Sequence, residues 1–271
     1  MRTADVTKIA AYNVNGVNGR LPRLLEWLAE TSPDVVCLQE IKTEHSRFPF
    51  EALERAGYPS LVHGQRSHHG VAILAKGRLP RERRRGLPGD DEDRQSRYLE
   101  AEIGDVVVAS IYLPNGNPQP GPKFDYKLAW FDRLIAHAGT LCGSRQPVVL
   151  AGDFNVVPTN ADIYNAWPWR EDAVMQPQTR AAHRKLVGQG WIDATRHLYP
   201  KERIYTFWIN ADYFRRNAGF RMDFLLLNDA AAARLDDTHV DAAYRGRERA
   251  SDHAPVWVTL RDAPIGRAGW D

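Results

Sequence analysis

The sequence predicts a layered α/β fold on three observations: strand-length apolar runs recur along the chain, amphipathic helical stripes fall between some of them, and nothing in the composition divides the 271 residues. The first run, KIAAYNV at 8–14, is mainly aliphatic and carries Asn13 near its end. Leu21, Leu24, Leu25 and Leu28 then repeat at i, i+3, i+4 and i+7, the apolar stripe of a helix, with Pro22 read as lying in its first turn. DVVCLQ (34–39) and GVAILA (70–75) are β-branched and aliphatic runs of strand length. An acidic turn from Gly89 to Asp93 precedes the strand VVVASIY (106–112), and the Gly- and Pro-rich stretch from Pro114 to Pro122 reads as a surface loop. Phe124, Leu128, Phe131 and Ile135 mark a second helix, and PVVLAG (147–152), MDFLLL (222–227) and APVWVTL (254–260) are further strands. One domain over residues 1–271 is the expectation.

Hydrophobic residues at 43% and charged residues at 26% are ordinary for a globular chain, so a normal core is expected. No apolar run approaches the roughly 20 residues that span a bilayer. The opening MRTADVTKIA lacks the basic-then-apolar order of a secretion signal, which points to a cytoplasmic protein. Cys37 in an apolar run and Cys142 at a helix end suit structural thiols rather than a disulfide. A net charge of +2 is too small to steer a polyanion by itself, so nucleic-acid contacts would need local patches. Arg81, Arg83, Arg84 and Arg85, then Arg215, Arg216 and Arg221, are the richest candidates.

Polar residues cluster where the strands end. Asn13, Gln39 with Glu40, Tyr112, and Asp153 with Asn155 all stand at or just past strand ends, and Ser251, Asp252 and His253 precede the last strand. Such positions let a rigid sheet converge distant side chains on one cleft. Asp223 differs, because it interrupts the apolar run RMDFLLL. A carboxylate buried there requires a partner, and His253 is the expected one.

These residue types compose a phosphodiester-hydrolysing site. Glu40 and Asp252, helped by Asn13 or Asp153, supply the hard oxygen ligands that Mg²⁺ prefers. Asp153, assisted by Asn155, orients and deprotonates an attacking water. His253, held by Asp223, and Tyr112 donate to phosphate oxygens as charge builds in the transition state.

The sequence at this point resembles exonuclease III and its abasic-site endonuclease relatives, within the endonuclease/exonuclease/phosphatase superfamily. The matching stretches run in order along the chain: YNVNG (12–16), PDVVCLQEIK (33–42), HGVAIL (69–74), RRGLPGDDED (84–93), IYLPNG (111–116), GDFNVVPTNAD (152–162), YTFW (205–208), GFRMDFLLL (219–227) and SDHAPV (251–256). The resemblance implies a four-layer α/β sandwich of two packed, mainly antiparallel β-sheets flanked by helices. It implies a Mg²⁺ cofactor, with Mn²⁺ as the alternative, held mainly by Glu40 with Asn13, Asp153, Asn155, Asp252 and His253 around it. Tyr112, Asp153, Asn155, Asp223 and His253 match the family's catalytic positions.

For substrate, Phe207, Trp208, Phe220 and Met222 match positions that line a pocket for an extrahelical sugar lacking its base, and Arg97 and Asn115 match phosphate contacts. The implied activity is 3′→5′ exonuclease and abasic-site endonuclease cleaving 5′ to the lesion. The implied partner is double-stranded DNA with abasic sites or 3′ ends, met by a monomer. Tyr213, Phe214, Arg215 and Arg216 form a loop suited to press into a groove. Two departures stand out: Gly116, Asn117 and Pro118 follow Asn115 without the arginine of some relatives, and Asn15 stands where others carry aspartate. Two rival readings are a phosphatase for inositol phosphates or lipid head groups and a catalytically silent DNA-binding relative.

Overall fold

The computed structural model describes residues 6–262; residues 1–5 of the stretch read for a secretion signal lie outside them. The strands are β1 (Val6–Asn13), β2 (Val35–Gln39), β3 (Ser60–His63), β4 (Val71–Ala75), β5 (Arg81–Arg85) and β6 (Tyr98–Ile103). They continue as β7 (Val106–Tyr112), β8 (Val148–Asp153), β9 (Ile192–Asp193), β10 (Asp223–Leu227), β11 (Leu235–Val240) and β12 (Val256–Arg261). They build two six-stranded sheets, ordered β11-β12-β1-β2-β4-β3 and β5-β6-β7-β8-β10-β9. In each sheet one central pair is parallel, β1 with β2 and β7 with β8, and the remaining pairs are antiparallel. Each parallel pair is joined by a crossover containing one long helix, α1 (Val17–Thr31) or a later one (Pro122–Cys142).

Alternation along the strands explains why the central runs read as continuously apolar. Ile9, Ala11, Val35, Cys37, Val108, Val149, Ala151 and Leu225 meet between the sheets. Their neighbours turn outward: Ala10, Val36 and Leu38 pack under α1, and Val107, Ala109, Val148 and Leu150 pack under the Pro122–Cys142 helix. Both faces of these strands are therefore buried, the condition that removes the polar half of the alternation. The layers run helix, sheet, sheet, helix, as the resemblance implied. Among the described residues, no helix is long and apolar enough to cross a membrane.

Several local expectations change. The first helix begins at Val17, which puts Pro22 inside it rather than in its first turn. The Arg81–Arg85 run is an exposed edge strand in which Arg81, Arg83 and Arg85 pair with Glu102, Glu100 and Glu82. Such a charged edge discourages pairing with a further strand. Arg221 does not belong to a surface patch: it is buried and reaches Asp162 and Asp193, each at 2.7 Å.

Candidate active site

The polar residues expected at strand ends sit where the apolar face between the sheets runs out. By alternation Asn13 follows Ala11, Gln39 follows Cys37, Asp153 follows Ala151 and Asp223 precedes Leu225 on that same inner face. Strand register aligns them. Asn13 stands beside Gln39, Tyr112 beside Asp153, and Asp153 beside Asp223. One sheet thus contributes Tyr112, Asp153 and Asp223, and the other contributes Asn13, with Glu40 following β2 and Asp252 and His253 preceding β12.

Two backbone features let the chain reach this geometry. Gly152 has φ +152°, and a Cβ there would lie 2.0 Å from the Ile111 carbonyl oxygen, so the close approach of β7 to β8 excludes any side chain. Glu40 and Asn155, just past strand ends, have φ of 49° and 44°. Left-handed backbone at non-glycine residues costs free energy and persists only where surrounding contacts enforce it.

The hydrogen bonds tie both halves together. Asn13 Nδ2 donates to Glu40 Oε1 at 2.9 Å and to Asp153 Oδ2 at 3.0 Å, while Asn13 Oδ1 accepts from the Asn15 backbone N–H at 3.1 Å. Asn13 therefore bridges two carboxylates through its Nδ2, while its Oδ1 keeps a second lone pair. Lys42 Nζ lies 2.8 Å from Glu40 Oε2 and donates to Asn15 Oδ1 at 2.6 Å, and Asn15 Nδ2 donates to Asp252 Oδ1 at 2.9 Å. The amide of Asn15 can serve both neighbours, whereas an aspartate there would place a second negative charge beside Asp252. Asn155 donates its backbone N–H to Asp153 Oδ1 at 2.8 Å, and its Oδ1 accepts from Asn115 at 3.2 Å.

His253 Nδ1 and Asp223 Oδ2 are 2.8 Å apart, and His253 Nε2 lies 3.8 Å from Asp153 Oδ2. Burial favours neutral imidazole, but Asp223, with Asp153 and Asp252, outweighs it and raises His253 to about 10. Burial is the main cause that raises Asp153 to about 7; Asp223 and Glu40 add to it, against the opposing pull of His253. Burial also works against the Glu40 carboxylate, yet hydrogen bonds from Asn13 and Lys42 hold it below its ordinary value. The Tyr112 hydroxyl is pushed well up by burial and by Glu40. Asp153, Asp223 and His253 offer ligand atoms within 4.8 Å of one another.

A cavity of about 350 Å³ opens onto this array, and Glu40, Tyr112, Asn115, Asp153, Asn155, Asp252 and His253 all line it. Phe207, Phe220 and Met222 line its apolar end. Phe207 forms isolated bridges to both Phe220 and His253 and packs its ring 4.8 Å from the imidazole. Trp208 is a correction, because it faces away: its ring packs on Phe214 and its Nε1 donates to Asn217. Adjacent residues of an extended segment point to opposite sides, so Phe207 and Trp208 cannot both line the cavity. Arg97 lies outside the cavity as well, donating to the Tyr112 carbonyl oxygen at 3.2 Å and stacking on the Tyr112 ring at 4.7 Å. The expected groove-pressing loop is a short helix, Ala211–Arg215, in which Tyr213 and Phe214 are both partly buried against one cluster, so Arg215 and Arg216 are its exposed side chains.

Sequence reasoning missed Trp169, Asp172, Val174 and Ile209 among the lining residues. It also missed Lys127, fully buried, whose Nζ donates to the backbone carbonyls of Asn115 at 3.0 Å and Asn155 at 2.5 Å. A signal for Lys127 existed: it lies three residues after Phe124 and four before Phe131, on the apolar stripe of its helix.

A model of the Endonuclease/Exonuclease/phosphatase family matches residues 10–253. Exodeoxyribonuclease III of Haemophilus influenzae is 33% identical over 269 residues, covering 94% of this chain and all of that protein. An AP endonuclease from Archaeoglobus fulgidus superposes with a TM-score of 0.89 at 32% identity, covering 94% of this chain and 99% of that one. A 3′ phosphatase from Neisseria, bound to a product DNA hairpin, superposes with a TM-score of 0.89 at 35% identity and the same coverage.

Proposed function

The chain belongs to the endonuclease/exonuclease/phosphatase family, and from that premise we propose that it is a metal-dependent DNA-repair phosphodiesterase of the exodeoxyribonuclease III and AP endonuclease kind. It cuts the backbone 5′ to an abasic site and removes nucleotides from 3′ ends. The observation that supports this most strongly is the Asp223–His253 pair facing Asp153 at the polar end of a cavity whose other end is the Phe207, Phe220 and Met222 wall.

In this reading Asp153 accepts the proton of the attacking water. A carboxyl raised toward neutrality is a competent base there, and Asn155 fixes its orientation. His253, kept protonated by Asp223, presents its Nε2 to a phosphate oxygen, and the un-ionised Tyr112 hydroxyl donates to another. The donor set fits a divalent cation, since the carboxylates of Glu40, Asp153 and Asp252 line one cavity, with Lys42 against Glu40 and His253 shared between Asp153 and Asp223. Glu40 and Asp252 would hold Mg²⁺ or Mn²⁺ with Asp153 alongside. The bound ion supplies Lewis-acid stabilisation of the phosphate charge. Asn13 spaces the carboxylates through its Nδ2, and the second lone pair of its Oδ1 would be open to the ion.

The apolar end takes the sugar. Phe207, Phe220 and Met222, with Trp169 packed edge-on against Phe220 at 5.1 Å, leave an apolar slot that suits a base-free deoxyribose. Flipping such a nucleotide breaks no base pair, so its extrusion is inexpensive. The described residues work as one catalytic domain and as a monomer.

The test is an end-labelled duplex with one central abasic-site analogue, incubated in Mg²⁺ or EDTA beside an undamaged duplex with a recessed 3′ end. Incision immediately 5′ to the lesion, abolished by EDTA, with a ladder on the control, is the expected result. Hydrolysis of a soluble inositol phosphate with both DNA substrates intact would replace this reading with a phosphatase.

A further inference from the structure

Trp167 and Tyr164 are 71% and 57% exposed, unusual among the large hydrophobic side chains of the described residues. They belong to the segment that also builds the outer wall of the catalytic cavity. The short 3₁₀ turn Trp167–Trp169 divides its indoles: Trp169 lines the cavity, while Trp167 projects into solvent. On the far side of that wall Tyr164 lines a cleft of about 130 Å³ with Pro168, Tyr213 and Arg216. Trp169 and Phe220 line both this cleft and the cavity, so the two lie back to back on either side of these rings.

Guanidinium groups are interleaved with these rings. Arg170 lies over the Trp167 ring at 4.2 Å, Arg216 over the Tyr213 ring at 5.1 Å, and Arg203 reaches the Tyr164 carbonyl oxygen at 3.4 Å. Glu171 and Asp212 lie 3.5 Å and 3.0 Å from Arg170 and Arg216. Exposed rings alternating with cations provide what an unpaired strand needs: π faces for its bases and positive charge for its phosphates. A duplex keeps its bases stacked inside and could use only the charges.

We propose that Trp167 and Tyr164 form a stacking platform for an unpaired base of the DNA strand whose backbone enters the cavity, an inference that rests on reading that cavity as a DNA phosphodiesterase site. The platform favours substrates with unpaired nucleotides beside the cut, such as single-stranded stretches and frayed 3′ ends.

The test reads binding separately from cleavage. The full chain is titrated in EDTA into a single-stranded oligodeoxynucleotide carrying 2-aminopurine, and into a base-free deoxyribose-phosphate oligomer of equal length. Wild-type protein is expected to bind the first and quench its fluorescence. Trp167→Ala should weaken that binding about tenfold and remove most of the quenching, Trp167→Phe should keep most of both, and the base-free oligomer should bind all three proteins alike. Unchanged affinity and quenching in Trp167→Ala overturns the platform, as does an equal loss on the base-free oligomer or failure of wild type to bind the oligonucleotide. Base-dependent quenching by a protein that cuts no DNA in Mg²⁺ would uphold the platform and reject the nuclease reading.

Discussion

His253 and Asp223 form their 2.8 Å contact across the boundary between the two sheets, the histidine entering from the segment before β12 and the aspartate opening β10. Replacing Asp223 by Asn removes the charge that keeps the imidazole protonated while preserving shape. The expected result is a fall in kcat of about 10²–10⁴-fold with little change in DNA affinity. A variant with near-normal kcat would remove Asp223 from the mechanism.

Asp153→Asn and His253→Asn should each lose several orders of magnitude in rate, on the same scale of about 10²–10⁴-fold for a base or an oxyanion donor. Both variants should still bind DNA in a filter or fluorescence assay. Rapid turnover by either one assigns its role elsewhere.

Metal binding should be visible without catalysis. An ion held only by the folded protein at about 100 times its Kd adds roughly 2.7 kcal/mol, so Mg²⁺ should raise Tm and EDTA should reverse the rise. Glu40→Gln should abolish most of the shift. An equal shift in that variant would move the ion away from Glu40.

Gly152→Ala should cost about 3 kcal/mol or more in urea unfolding, because the added methyl meets the Ile111 carbonyl and the central parallel pair must part. An unchanged midpoint would show that β7 and β8 yield more easily than their register suggests.

Acid should weaken the fold through His183. Burial is the chief cause that lowers it from 6.5 to about 4, with Asp193 opposing and Arg221 adding to the fall. The unfolded chain then binds more protons than the folded one between those values, so stability declines as pH drops from 6.5 to about 4. Its contribution approaches ~3 kcal/mol, and His63 and His69 act in the same direction. His183→Phe should flatten the slope of Tm against pH across this window, and an unaltered slope would assign the acid sensitivity to other groups.

The legible parts of the molecule were those where residue type conflicts with its surroundings. Asp223 inside an apolar strand signalled a partner, and the structure supplies His253. Lys127 on an apolar helical stripe is an equal signal, since a buried ammonium also requires partners. Strands β5, β6 and β11 are not legible as apolar runs because charged and polar residues interrupt them. Trp208 shares a motif with Phe207, yet the backbone sends the two adjacent side chains to opposite sides, which motif membership does not reveal. Trp169 lies outside the matched stretches, in a segment whose fold depends on packing against distant Phe220.

The inner faces of the two sheets meet in one shared apolar layer, and the candidate site is its polar rim. Neither sheet owns a working half: Asn13 spans the seam to Asp153, Gln39 spans it to Ser110, and His253 spans it to Asp223. Lateral slippage of one sheet past the other would misalign base and oxyanion donor while leaving every strand intact. Catalytic rate is therefore a gauge of how well the two sheets are seated, and mutations deep in the shared layer, around Cys37 or Ala151, should dim activity before they melt the protein.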